Sequence, residues 1–261
     1  MTETRPFALV TGASSGIGRE LAHRFAENGF DLLVCAEDAG IAAAADELRA
    51  AGADVQVLQV DLRSYDGVEE FVRGIRTAGR PLDAAALNAG VGRGGAFLEI
   101  DLDHEFEIIQ LNVVSTVHLA KRLLVDMAAR DEGRLLITSS IASTMPGSFQ
   151  AVYNASKSFL QSFAEALQDE LKDTGITITS LMPGPTETNF FRRADMSDTP
   201  VGRSSKDDPA AVAQQGFDAL MGGRSKIIAG SIKTKVQGVA NKVLPDKLKA
   251  AAHRRMAEPE S

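Results

Sequence analysis

Tyr153-Asn154-Ala155-Ser156-Lys157 sets a phenol and an ammonium four residues apart in a segment of helical period. Residues at that spacing share a helix face, so the two side chains can lie in one groove. A free phenol has a pKa near ~10 and is a poor acid–base group at neutral pH. A neighbouring ammonium favours the phenolate, which predicts a tyrosine pKa drawn down toward working range. Ser140 follows a strand-like run thirteen residues earlier and can donate a hydrogen bond to a carbonyl oxygen, with Ser139 as its immediate competitor. An isolated Tyr-x-x-x-Lys pair is more often a solvated helix face, so a second motif has to support it.

Thr11-Gly12-Ala13-Ser14-Ser15-Gly16-Ile17-Gly18 is that second motif, a glycine-rich turn joining an apolar run to a helical segment. Glycines there allow a tight turn and a close backbone approach, and the helix N-terminus offers free N–H groups to a pyrophosphate. The spacing is G-x-x-x-G-x-G, not G-x-G-x-x-G, and its place at the first strand–helix junction is what favours a dinucleotide over a plain turn. Other chemistries find less support. His23, His104, His118 and His253 are scattered without metal-ligand spacing, so no metal site is expected. No Gly-x-Ser-x-Gly elbow is present. Cys35 falls inside a strand-like run and reads as packing.

These groups must be positioned by an alternation of short apolar runs and longer helical segments. Strands are expected at Phe7–Thr11, Asp31–Ala36, Asp54–Val60, Ala84–Asn88, Arg134–Ser139, Thr177–Met182 and Lys226–Ala229. Helical periods cover Gly16–Asn28, Ile41–Ala51, Tyr65–Ala78, Phe106–Arg130, Tyr153–Asp173 and Asp208–Met221. Regular alternation implies right-handed crossovers and a parallel sheet covered on both faces, an α/β doubly wound domain over residues 1–230. Two segments break the rhythm. Residues 184–208 form a long loop rich in Pro, Thr, Asp and Arg, and loops of that length are commonly functional. Residues 231–261 form a basic extension, with seven basic residues and one acid, Asp246, between Lys233 and Arg255. Val236, Val239, Ala240, Val243 and Leu244, then Leu248, Ala251 and Ala252, predict an amphipathic helical pair with those residues on its apolar face.

Composition narrows the class. The 261 residues carry 28 Lys and Arg against 35 Asp and Glu, a net charge of −7, which argues against a general nucleic-acid binder. No uninterrupted run of eighteen apolar residues occurs, so no bilayer-spanning segment is expected. Residues 1–6 lead into the first strand without a signal-peptide core, and a single cysteine forms no internal disulfide. Both point to a reducing cytoplasm.

Together the motifs resemble the short-chain dehydrogenase/reductase family over about Phe7 to Ala229. The family's glycine turn matches residues 11–18, its Asn-Ala-Gly strand end Asn88-Ala89-Gly90, and its Tyr-x-x-x-Lys pair Tyr153 and Lys157. Its asparagine falls on Asn112, its serine on Ser140, and its Pro-Gly stretch on Pro183-Gly184 with Thr186 and Thr188 following. The resemblance implies a Rossmann-like sheet of about seven strands and NAD(P)-dependent hydride transfer between a carbonyl and an alcohol. It further implies Tyr153 as general acid, Lys157 on the nicotinamide ribose, Ser140 polarising the substrate oxygen and Asn112 in a proton relay. Residues 183–188 would then meet the carboxamide end of the cofactor and Asp61-Leu62 its adenine.

Departures from the family pattern shape further expectations. Ala36 stands where NAD-preferring relatives carry aspartate, but Glu37 and Asp38 follow, and a carboxylate there repels a 2′-phosphate, so NAD(H) is favoured over NADP(H). Arg19 is the alternative phosphate ligand. Phe190 and Phe191, on the long loop, are candidates for an apolar substrate pocket or for simple packing. A homo-oligomer, dimer or tetramer, is expected, with a dimer through Phe106–Arg130 and Tyr153–Asp173. The tail is expected to dock on its own or a partner subunit, with an anionic membrane surface as the second reading. A catalytically silent NAD(P)-sensing regulator on the same fold is the alternative function.

Overall fold

The computed structural model describes residues 5–240 and 245–259. Seven strands form one parallel sheet in the order β3-β2-β1-β4-β5-β6-β7. They are β1 (Phe7–Thr11), β2 (Asp31–Ala36), β3 (Val55–Gln59), β4 (Ala84–Leu87), β5 (Gly133–Thr138), β6 (Ile176–Pro183) and β7 (Lys226–Ala229). The chain runs outward from β1 to β3, then returns to place β4 on the other side of β1, pairing Leu9 with both Leu33 and Ala85. That reversal is the topological switch point, and the crevice of such sheets opens beyond the strand C-termini there.

The strands read as continuous apolar runs because both faces are buried, and their period of two divides each between two cores. Ala8, Val10, Leu32 and Val34 point to one core with Leu21 and Phe25 of α1 (Gly16–Glu27), Ile41 and Leu48 of α2 (Gly40–Ala50), and Val212 and Phe217 of α9. Helix α9 spans Pro209–Met221. Phe7, Leu9, Leu33 and Cys35 face the other core, with Phe71 of α3 (Tyr65–Thr77), Leu119 of α5 (Ser115–Arg130) and Leu160 of α6 (Ala151–Glu170). Burial pushes the Cys35 thiol far above its ordinary range, so it is a packing residue.

Helix α4 (Leu102–Ile108) continues through a π-helical turn, Ile109–Val114, into α5. By length and hydropathy this stretch could cross a membrane, contrary to the sequence expectation, but half of it is buried inside the fold, as in a core helix. The loop after β6 carries two short helices, α7 (Phe190–Arg193) and α8 (Pro200–Arg203).

The tail docks on the same chain as α10 (Ile232–Ala240) and α11 (Asp246–Ala257), but rotated from the predicted face. Val236, Leu248, Ala251 and Ala252 are exposed, whereas Thr234, His253 and Ala257 are buried. Polar anchors turn the helix inward on that side. His253 Nδ1 meets the Ser148 carbonyl at 2.9 Å, and Lys249 Nζ donates to the Thr144 carbonyl at 3.4 Å. Val243 and Leu244 lie outside the described residues, as do Met1 to Thr4.

Candidate active site

A cavity of about 1020 Å³ opens at the C-terminal ends of the central strands. It brings together Gly12, Ser14, Ser15, Gly16 and Ile17 of the glycine turn with Glu37, Asp61, Leu62, Asn88, Ala89, Gly90, Ser140, Tyr153, Lys157, Pro183, Gly184, Thr186, Thr188, Phe190 and Phe191, while Gly18 and Asn112 stand behind its lining.

The first wall is the turn between β1 and α1. Gly12 (φ +67°) and Gly16 (φ +57°) lie in the left-handed region that favours glycine. Gly18 sits behind them, and a Cβ there would stand 2.2 Å from the Gly12 carbonyl oxygen. Ser15 precedes α1 without capping it through its side chain. The first-turn N–H groups therefore keep their hydrogen-bonding capacity for an anion, at the positive end of the helix dipole. Thr11 Oγ1 accepts from the N–H groups of Asn88 and Ala89, each at 3.0 Å, locking the Asn-Ala-Gly strand end against this turn. Thr138 Oγ1 donates to Asn88 Oδ1 at 3.1 Å, extending the lock to β5. A cradle that a Cβ would fill, with uncapped helix N–H groups, fits a dinucleotide pyrophosphate.

Beyond β2, Glu37 neither faces open solvent nor stands free. Arg63 Nη2 lies 3.0 Å from its carboxylate, and Arg193 of α7 pairs with it as well. Arg63 also meets Asp61 at 2.9 Å and Glu107 at 3.3 Å. Hydrogen bonding to Asp61 raises the Arg63 pKa further, so its charge is permanent. Arg19, the alternative phosphate ligand, is turned away and paired with Glu47 of α2. Ser14 Oγ donates to Asp38 at 2.8 Å, tying the glycine turn to the strand end.

The acid–base group sits across the crevice. The two serines that the sequence left in competition separate: Ser139 Oγ donates to the Lys157 carbonyl at 3.0 Å, deep in the fold, while Ser140 lines the cavity beside Tyr153, its Oγ accepting from the Ala142 N–H at 3.1 Å and donating to the Pro183 carbonyl at 3.4 Å. Lys157 is buried on the same face of α6, its Nζ donating to the Thr138 carbonyl at 3.0 Å and 5.9 Å from the Tyr153 ring centroid. Asn112 occupies the π-helical turn, a feature that often marks functional sites. Its Oδ1 accepts from the Val91 N–H and its Nδ2 donates to Val91 O and Ser156 Oγ, all at 2.9 Å. Gly90 passes so close that a Cβ would stand 3.1 Å from Asn112 Oδ1 and 3.3 Å from Lys157 Nζ.

The expected depression of the tyrosine pKa is absent in this state. Burial pushes the Tyr153 phenol up to about 12, only partly offset by the Ser140 hydrogen bond. Burial pulls the Lys157 ammonium down to about 8. Desolvation outweighs mutual attraction here because the ammonium is directed at the Thr138 carbonyl while the phenol meets Ser140.

Phe190 stacks at a tilt on Tyr153, ring centroids 5.2 Å apart, and Phe191 meets Phe190 edge-on at 5.5 Å. Both rings line the cavity and also pack with Ala194, Met196 and Ala257. Sequence reasoning missed Arg63, Arg193, Met145, Gln150, His253 and Met256, which also line the cavity. Arg63 was discoverable as the neighbour of Asp61-Leu62. The others come from loops and the tail, where no motif marks them.

Comparison with known proteins supports the motif reading. Residues 6–198 match the model of the short chain dehydrogenase family. A putative ketoacyl reductase of Streptomyces coelicolor is 34% identical over 190 residues, 72% of this chain and 73% of that protein. A short-chain dehydrogenase from Sphingobium yanoikuyae, solved in complex with NADPH, superposes with a TM-score of 0.80 at 27% identity, over 85% of this chain and 87% of its own. A short chain dehydrogenase/reductase from Burkholderia phymatum, solved with NAD, shares the fold over 100% of this chain and 99% of its own, with a TM-score of 0.83 at 24% identity.

Proposed function

The chain belongs to the short-chain dehydrogenase family, and we propose that it reduces a ketone or aldehyde to the alcohol with Tyr153 as the proton donor. One observation carries this: a phenol buried in the crevice beside Ser140, with a lysine one helical turn away. A pKa of about 12 keeps Tyr153 in its acid form at neutral pH, which suits donation to a carbonyl oxygen as negative charge builds there. Ser140 supplies a second hydrogen bond to that oxygen and polarises the carbonyl before the proton moves. Lys157 stabilises the phenolate left behind, and its hydroxyl-binding role is toward the nicotinamide ribose. Asn112 is a positioning residue that holds the Val91 backbone and the Ser156 hydroxyl beside α6, on the path of a proton relay toward Lys157.

A nicotinamide dinucleotide, when bound, supplies the hydride. The α1 N–H groups would hold its pyrophosphate, Glu37 and Asp61 its adenosine end, and the segment from Pro183 to Thr188 its carboxamide. We read Glu37 as favouring NAD(H), since its carboxylate already occupies the two guanidiniums that would take a 2′-phosphate. The sensor alternative requires loss of the acid–base set, and all of it is present. A dimer through exposed Phe106, Val114, Val125 and Phe159 on α4–α6 belongs to the same proposal, and light scattering would test it.

Oxidation of NADH and NADPH, followed side by side with aldehydes and ketones, tests the reaction. Tyr153→Phe is expected to abolish turnover while cofactor binding, read by fluorescence, stays near wild type. Turnover retained by that variant would remove Tyr153 from the mechanism.

A further inference from the structure

The catalytic crevice has a wall that comes from beyond residues 6–198, the part of the chain that matches the family model. Helix α11 crosses the substrate side, where Ala257 packs with Ala194 and Met196, and His253 and Met256 line the cavity beside Phe190, Phe191 and Val201. The docking is specific. Arg254 lies over the Phe149 ring at 5.1 Å. Phe149 itself adopts a left-handed φ of +64°, an uncommon backbone for a bulky residue, and strain of this kind gathers at ligand clamps.

His253 is the polar group on this wall, 5% exposed. Its Nδ1 faces the Ser148 carbonyl at 2.9 Å, and a carbonyl only accepts, so the ring proton resides on Nδ1. Burial lowers the pKa of the imidazole and keeps it neutral. Nε2 is therefore a lone-pair acceptor on a ring that borders a cavity stretch lined by Phe190, Phe191, Val201 and Met256, with the Gln150 amide turned onto Met196. An acceptor that a bound substrate covers without pairing costs free energy, and a site built around one rejects substrates that cannot donate to it.

We propose that His253 Nε2 accepts a hydrogen bond from a donor on the substrate, a hydroxyl or amide N–H remote from the reacting carbonyl. The aliphatic or aromatic body between the two groups lies along Phe190, Phe191 and Met256. The substrate class is thus a hydroxylated or amide-bearing ketone, not a plain hydrocarbon ketone. This rests on the reductase reading above.

The test uses the full-length protein with a series of ω-hydroxy methyl ketones of increasing chain length, each paired with its deoxy analogue. His253→Asn keeps an amide donor for the Ser148 carbonyl but places nothing at Nε2, and His253→Leu removes both. The expected result is a wild-type preference of about tenfold or more for the hydroxy member at one chain length, carried in KM, not kcat. In both variants that ratio is expected to fall to near one. A structural role alone would shift both members of a pair together. No preference at any length in the wild type, or a preference that survives in His253→Asn, overturns the inference. Failure of the wild type to turn over any ketone overturns the reductase reading, and this assignment with it.

Discussion

Replacing Lys157 by methionine is expected to stabilise the cofactor-free protein at neutral pH while ending turnover. Lys157 is 5% exposed, and burial holds its pKa at about 8 against an ordinary 10.5. At about 1.36 kcal/mol per pKa unit, keeping that ammonium protonated inside the fold costs about 3 kcal/mol at pH 7. Methionine has similar length and adapts its shape, but it loses the hydrogen bond to the Thr138 carbonyl, which takes back about 1 kcal/mol. The net expectation is a variant about 2 kcal/mol more stable at pH 7. The sign follows from the proton count. Between about 8 and 10.5 the unfolded chain still holds a proton that the folded chain has released, so wild-type stability rises with pH through that window and the full cost applies below it. By pH 10 the cost has shrunk to about 1 kcal/mol and the advantage of the variant is gone. Tyr153, with a pKa of about 12, stays protonated throughout, and other groups cancel in the difference. Urea unfolding of both proteins at pH 7 and pH 10, at matched ionic strength, measures the gap. A variant less stable than wild type at pH 7, or a gap that does not close by pH 10, would refute the claim that the ammonium is held at a desolvation cost.

Two further substitutions probe the cofactor wall. Glu37→Gln leaves Arg63 and Arg193 without their shared carboxylate, and a charge-assisted bond to a 2′-phosphate is worth about 1.5–3 kcal/mol, so the NADPH-to-NADH affinity ratio should rise by about 10- to 100-fold. An unchanged ratio in titrations by fluorescence would show that this carboxylate does not set the preference. Gly18→Ala forces a methyl to 2.2 Å from the Gly12 carbonyl oxygen and 2.6 Å from Asn88 Nδ2, so a loss of about 2 kcal/mol is expected, with weakened nucleotide binding. Wild-type melting and affinity in that variant would show that the turn relaxes freely.

The parallel sheet was legible because burial on both faces leaves strands with nearly unbroken apolar runs. All seven expected strands form, three with the expected bounds and four with ends shifted by one residue. Ser140, Tyr153 and Lys157 were legible because spacing along a helix and position after a strand place them before any tertiary contact is known. What stayed hidden depended on through-space partners. Glu37 reads as a free carboxylate in sequence, yet one of its arginines is 26 residues away and the other, Arg193, bonds it across 156 residues. The tail misled more deeply. Its apolar residues suggest a buried stripe, but α11 docks through Lys249 and His253 onto carbonyls of the segment before α6, leaving Leu248 in solvent. Two hydrogen bonds and the seating of Ala257 outweigh the apolar pattern there, and periodicity alone carries no sign of them.

Helix α7 connects the two ends of the proposed reaction. Its first residue, Phe190, rests on the Tyr153 ring, and its last, Arg193, holds Glu37 at the opposite end of the crevice. Four residues span about 6 Å of helix rise, so one short turn places both side chains. The Tyr153 phenol owes its pKa of about 12 to burial, and Phe190 is part of what covers it. Moving that ring changes the solvation that opposes phenolate, which is the quantity that must fall as the proton leaves. Helix α7 thus touches both ends of the crevice, Phe190 at the phenol and Arg193 at the carboxylate, within a single turn.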